Sequence, residues 1–253
     1  MLEELGNLPN KNERSEPVLN QEKCAQKAPI FPLWKRGVCL AIGLLGIFTL
    51  TLIVSFFVFW IPKSDQDGAT ALIVYALLFA AMVGFVFVDI PKFLHIFRGW
   101  KPYVFGIAFG IGIVALDIAY SNFINLFYQL ETGGNETSIR SVIDIYPVAS
   151  ALIFGILGPF IEEMAYRVGL FGLLKKVNIV LAYVLASLIF GFLHFDFTAT
   201  NIAAEFIILP SYVLSGTAFC VAYDLFGLPC SWTAHSFNNL WAVIGYVVIN
   251  NIE

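Results

Sequence analysis

Apolar stretches long enough to cross a bilayer alternate with short polar breaks along most of the chain. Residues 38–61 run for 24 positions without a charge. About 20 apolar residues suffice to span a hydrocarbon core about 30 Å thick. A polar turn at 63–68 separates this stretch from a second span at 69–88. Residues 89–101 carry Lys92, Arg98 and Lys101 and read as a cytoplasmic loop, with His95 solvated in it. A third span, 103–128, is interrupted by Asp117, and residues 129–144 read as a polar connection. The stretch 147–174 is apolar but contains Glu162, Glu163 and Arg167. A basic turn, Lys175 to Asn178, precedes residues 179–193, which lead into His194 and the polar stretch 196–201. A sixth span at 202–223 can kink at Pro210. A seventh follows at 230–249. The pattern predicts an all-α polytopic membrane bundle.

Composition agrees with that pattern. Of 253 residues 59% are hydrophobic and 13% charged, about half the charge of a soluble domain. Mean hydropathy is +0.81. A net charge of −4 argues against nucleic acid as a partner. Four cysteines without a C-x-x-C give neither a disulfide scaffold nor a zinc or redox pair. Residues 1–36 hold eleven charged side chains. The first 29 lack the charged and apolar regions of a signal peptide. They predict a disordered tail over 1–34, with one transmembrane domain over 35–253. Basic breaks at Lys35/Arg36, at Lys92/Arg98/Lys101 and at Lys175/Lys176 fall on one side. Lys63 with Asp65 and Asp67, and the 131–144 loop, fall on the other. The positive-inside rule therefore makes this a multi-pass cell-membrane protein with a cytoplasmic N-terminus. Gly106 and Gly110 form a GxxxG, which predicts close helix packing within the bundle.

Charges within spans are costly, so each needs a reason. Glu163 and Arg167 are four apart and can pair on one helix face. Glu162 is then rotated about 100° away, free to act as a base. Two of the three histidines, His194 and His235, also fall in apolar stretches. His235 and Asn239 are four apart and present donors on one face, which suits an oxyanion hole. With the 175–178 turn taken as a hairpin, Glu162 and His194 lie about 20 Å and about 24 Å from it, at similar depth. If that hairpin projects about 10 Å beyond the membrane, His235 joins them. The cavity then lies nearer the cytoplasmic side. Asp117 is expected to line the cavity or pair with a neighbouring helix, and Glu205 to lie near the outer interface. Neither a zinc H-E-x-x-H helix nor a G-x-S-x-G elbow is present.

Glu162-Glu163-x-x-x-Arg167, Phe190-x-x-x-His194 and His235-x-x-x-Asn239, in that order, resemble the CPBP family. Its members are related to type II CAAX prenyl endopeptidases and to abortive-infection and bacteriocin-immunity proteins. The resemblance covers roughly residues 145–245, the expected catalytic core. It implies about seven or eight transmembrane helices around an intramembrane cavity. It also implies cleavage near the C-terminus of a membrane-embedded protein or peptide within the bilayer. Glu162 and His194 would activate water, and His235 and Asn239 would stabilise the oxyanion. Glu163, Arg167 and Phe190 would support them. Glu162, His194 and His235 also suit a two-His, one-carboxylate zinc site. A zinc route and a metal-free glutamate route both stay open, through the same residues. The competing readings are a non-catalytic immunity or scaffold protein and a transporter.

Overall fold

The structure, a computed structural model, describes residues 31–129 and 132–250. Most of the expected disordered tail, residues 1–30, lies outside the described residues. Among the described residues every regular element is helical. In chain order these are α1 (Leu33–Phe57), α2 (Lys63–Val86), the short α3 (Ile90–Ile96) and α4 (Lys101–Asn125). Then come α5 (Gly134–Ile145), α6 (Pro147–Leu174), α7 (Ile179–Phe192), α8 (Ile202–Phe226) and α9 (Leu228–Asn250). All seven expected apolar stretches become helices.

Five of them are long and apolar enough to cross a membrane: α1, α2 from Asp65, α4, α6 and α8. α7 is apolar but has only 14 residues. α9 matches the others in length but carries His235, Ser236, Asn238 and Asn239. Large apolar side chains such as Leu45, Phe48, Leu52, Ile107 and Ile111 point outward from α1 and α4. Such a surface suits lipid rather than water. Together these features make a multi-pass membrane protein.

Two expected loops are helical instead. Residues 129–144 contain α5, which buries Val142 and Ile143 and exposes Glu136 and Ser138. Its apolar positions Ile139, Val142 and Ile143, with Tyr146 just past its end, follow helical spacing. The loop after α2 contains α3, opened by Pro91 in its first turn and carrying an exposed His95. α1 also begins earlier than expected, so Lys35 and Arg36 lie in its first turn. Neither is a free flanking charge. Lys35 pairs with Asp89. Arg36 is buried and donates to the carbonyls of Phe31 at 2.9 Å and Gly172 at 2.6 Å.

Local chemistry sets the boundaries near the site. Asn178 caps α7, its side chain accepting from the Leu181 amide at 3.0 Å. Asn201 caps α8 through the Ala204 amide at 3.2 Å. Gly227 sits at φ +82°, which favours glycine, and turns the chain from α8 into α9. Pro210 inside α8 cannot donate to the preceding turn. Beside it, the Ile207 carbonyl accepts from the Tyr120 hydroxyl at 2.5 Å.

The GxxxG of α4 packs against α9, as its spacing predicts. A Cβ on Gly106 would sit 2.6 Å from Thr233, and one on Gly110 would sit 2.8 Å from Phe237. A Cβ on Gly112 of the same helix would meet nothing within 4 Å. Gly110→Ala is therefore expected to destabilise the bundle by about 1–3 kcal/mol, the usual range for overpacking. Gly112→Ala should leave it unchanged or slightly more stable. Thermal melts of the two detergent-solubilised variants beside the parent check this.

Candidate active site

α6 departs from α-helical geometry twice, in π-helical segments at Ile153–Leu157 and Glu163–Phe171. Such turns interrupt the regular hydrogen-bond ladder and are frequent at functional sites. Glu163 and Arg167 lie in the second. They pair as expected, Nη1 to Oε1 at 3.3 Å, with side-chain exposures of 0% and 1%. The Arg167 Nη2 also donates to the Gly216 carbonyl of α8 at 3.3 Å. The guanidinium lies over the rings of Phe190 at 4.4 Å and Phe219 at 5.1 Å. One carboxylate, one carbonyl and two aromatic faces thus replace the water that a buried cation loses.

His235 of α9 stands between the two glutamates. Its Nδ1 lies 3.0 Å from Glu163 Oε1, and its Nε2 lies 3.6 Å from Glu162 Oε2. Glu162 is thus turned away from the Glu163–Arg167 pair, as expected, yet it faces the imidazole rather than standing apart. The ring stacks on Phe219 with centroids 4.3 Å apart. Glu162 Oε2 is buried and has no hydrogen-bond partner among the described residues. A buried polar atom without a partner is uncommon and calls for a functional reason. Asn239, one turn after His235, donates from Nδ2 to the Phe154 carbonyl at 3.0 Å. Trp232 donates to the Ile156 carbonyl at 3.1 Å. Both acceptors lie in the first π segment, where the altered ladder leaves carbonyls open to side chains.

His194 follows the end of α7. Its Nδ1 lies 2.8 Å from the Phe190 carbonyl. A carbonyl only accepts, so Nδ1 holds the proton and Nε2 is the lone-pair nitrogen of the neutral ring. The ring packs between Phe190 and Tyr212, with centroids at 4.6 Å and 4.9 Å. Phe190 therefore touches Arg167, His194 and His235 together.

A cavity of about 350 Å³ opens beside this cluster. Phe190, His194, His235 and Asn239 line it. Glu162 is not part of its wall and adjoins it through His235. No hydrogen bond or ion pair joins Glu162 to His194 among the described residues. Asp117 lines the cavity and accepts from Ser211 of α8 at 2.6 Å. Glu205 is buried, and it holds two backbone amides, Gly134 at 2.7 Å and Asp196 at 3.1 Å. The sequence reading missed Tyr212, Phe219 and Gly216. All three lie on α8, whose apolar pattern sets none of them apart from a lipid-facing residue.

The cavity lies beyond the site residues, on the side of the bundle away from the hairpin used to reckon its depth. Its wall uses Asp117 to Ser121 of α4 and α5 residues such as Arg140, away from the Lys175–Asn178 turn. The side chains expected of a zinc site, Glu162, His194 and His235, are only partly drawn together. Both nitrogens of His235 face carboxylates, and Nδ1 of His194 faces a carbonyl. Among the described residues no three His, Cys, Asp or Glu side chains are gathered to hold a metal ion. No step below runs through a metal.

The family model described as type II CAAX prenyl endopeptidase Rce1-like matches residues 144–241. The segment carries all three motifs, and the match supports assignment to the CPBP family. In general terms it supports a CAAX-type intramembrane protease. No curated protein matches the chain. No solved structure matches it either.

Removing one member of the buried pair should cost more than removing both. Arg167→Met leaves Glu163 as an uncompensated buried charge, and such breaks cost about 3–5 kcal/mol. The Glu163→Gln/Arg167→Met double variant is expected to regain part of that loss. Unfolding temperatures of the parent, both singles and the double variant give the coupling.

Proposed function

We propose that the protein is an intramembrane endopeptidase that hydrolyses a peptide bond near the C-terminus of a membrane-associated protein or peptide. The observation that carries this reading is the His235 imidazole held between Glu163 and Glu162 on a cavity wall shared with His194 and Asn239. Water activated by Glu162 and His194 attacks the scissile carbonyl carbon while one of its protons passes to the base. The carbonyl oxygen becomes an oxyanion. Asn239 keeps one amide hydrogen beyond the one given to Phe154, and it meets that oxygen together with His235. The tetrahedral intermediate then collapses. The C–N bond breaks, the leaving nitrogen takes the proton abstracted from water, and a new carboxyl and a new amine result. Glu163 and Arg167 are positioning residues, and Phe190 holds the two histidines in register.

Purified protein is assayed on a fluorogenic membrane peptide. Glu162→Gln and His194→Ala are each expected to lower kcat by about 10²–10⁴, the contribution of a placed acid–base group. Equal cleavage by wild type and both variants would sink the proposal. A glutamate route also predicts that chelators leave activity unchanged. Chelator loss that zinc restores would instead assign the water to a metal.

A further inference from the structure

The bundle has two chemically different ends. At one, Lys35 pairs with Asp89, Lys175 pairs with Asp224, and Arg36 reaches the Gly172 carbonyl. Arg98 precedes α4 and Lys101 opens it at this end, and Lys176 adjoins Lys175 in the turn after α6. At the other end, Glu205 holds the Gly134 and Asp196 amides. Tyr246 donates to Asp144 at 3.0 Å, Arg140 lies over the Tyr246 ring, and Asn201 donates to Tyr128. Lys63 and Arg140 are this end's only basic residues among those described, and they sit amid Asp65, Asp67, Glu136, Asp144 and Asp196.

The cavity belongs to the second end. On α4 its wall begins at Val114, about 20 Å along the helix from Lys101, and runs to Ser121, about 30 Å along. On α9 it runs from His235 to Tyr246, away from the Gly227 turn. α5 adds Asn135, Glu136 and Arg140, with Glu136 exposed at the rim. Lys and Arg excess in short loops marks the cytoplasmic side. The rule acts on the inserting chain, so the later pairing of Lys35 and Lys175 does not weaken it.

We infer that the cavity opens to the non-cytoplasmic face of the membrane. The substrate that follows, resting on the protease reading above, is a peptide segment supplied from outside: a translocated peptide or the exposed end of a membrane-anchored chain. A protein tail presented from the cytoplasm would meet the wrong end of the bundle.

The test uses the full chain in intact cells, in a Cys24→Ser background, since Cys39, Cys220 and Cys230 are buried. Single cysteines replace Ser138 on the rim, Ser121 in the cavity and Val177 in the basic turn. A membrane-impermeant sulfonated maleimide is applied before and after permeabilisation. Ser138→Cys and Ser121→Cys are expected to react in intact cells, and Val177→Cys only after permeabilisation. The reverse pattern overturns the inference. So does a Ser121→Cys that reacts only after permeabilisation. A quenched peptide is then offered to intact cells and to inverted vesicles, with wild type and Glu162→Gln. Glu162-dependent cleavage in intact cells supports external supply, and cleavage confined to inverted vesicles overturns it. No cleavage in either would defeat the protease reading, while the labelling still decides the orientation.

Discussion

The buried pair of Glu163 and Arg167 is the constraint to which the rest of the bundle answers. Two opposite charges with almost no exposure lose several kcal/mol of hydration each, and their attraction repays this only when the remaining polar atoms find partners. The partners that are found come from other helices, while Glu163 Oε2 and Arg167 Nε are left without a hydrogen bond among the described residues. α8 supplies the Gly216 carbonyl and the Phe219 ring, α7 supplies Phe190, and α9 supplies His235. Four helices must therefore converge on one point. Gly216 is needed for more than its carbonyl, because a Cβ there would come within 3.0 Å of Phe190. α6 and α1 close just as tightly, since a Cβ on Gly169 would meet the Leu40 amide at 3.0 Å.

Convergence alone does not place two adjacent glutamates on one imidazole. Neighbouring residues of a helix diverge by about 100°, and Glu162 and Glu163 reach His235 at opposite nitrogens because the ring lies across that divergence. The junction of a short α-helical turn and a π segment falls between them. The other π segment opens the Phe154 and Ile156 carbonyls to Asn239 and Trp232, which locks α9 against α6 at the depth of the site. Irregular backbone at membrane depth is tolerated where it is enclosed by protein. The buried faces of both segments meet that condition.

Much of this was legible in the chain. Apolar runs located seven helices, i,i+4 spacing gave the Glu163–Arg167 pair, and GxxxG gave the α4–α9 contact. What was not legible followed from long-range geometry. Tyr212 and Phe219 look like any aromatic residues of an apolar helix until α8 is set against the histidines. The partners of Glu205, the Gly134 and Asp196 amides, were not legible because they are backbone groups with no side-chain signature. α5 was missed for a different reason. Its apolar positions do follow helical spacing, but Glu136, Thr137, Ser138 and Arg140 made the segment read as a polar loop. The cavity wall was not legible from one hairpin either, because it is built mainly from α4, α5, α8 and α9.

Of the seven helices formed by the apolar stretches, the two that fall short as membrane spans are the two that bring the histidines. α7, with 14 residues, is about 21 Å long and cannot cross a core about 30 Å thick. It stops at Phe192, and His194 follows at the cavity edge while its Nδ1 bonds back to the helix. The chain beyond it can leave helical form only because Glu205 holds the Asp196 amide and Asp196 itself accepts from Thr198 at 2.8 Å. α9 is long enough, but its polar residues make it a poor partner for lipid. It is tolerable because those residues meet Glu163, the Phe154 carbonyl and the cavity. In a bilayer, a helix that is too short or too polar must be enclosed by others. α4 and α8 flank α9, α8 packs against α7, and α1 and α4 turn large apolar side chains outward. The polar site and the apolar belt thus follow from one division of labour, in which the helices least suited to lipid bring the histidines to the carboxylates of an enclosed α6.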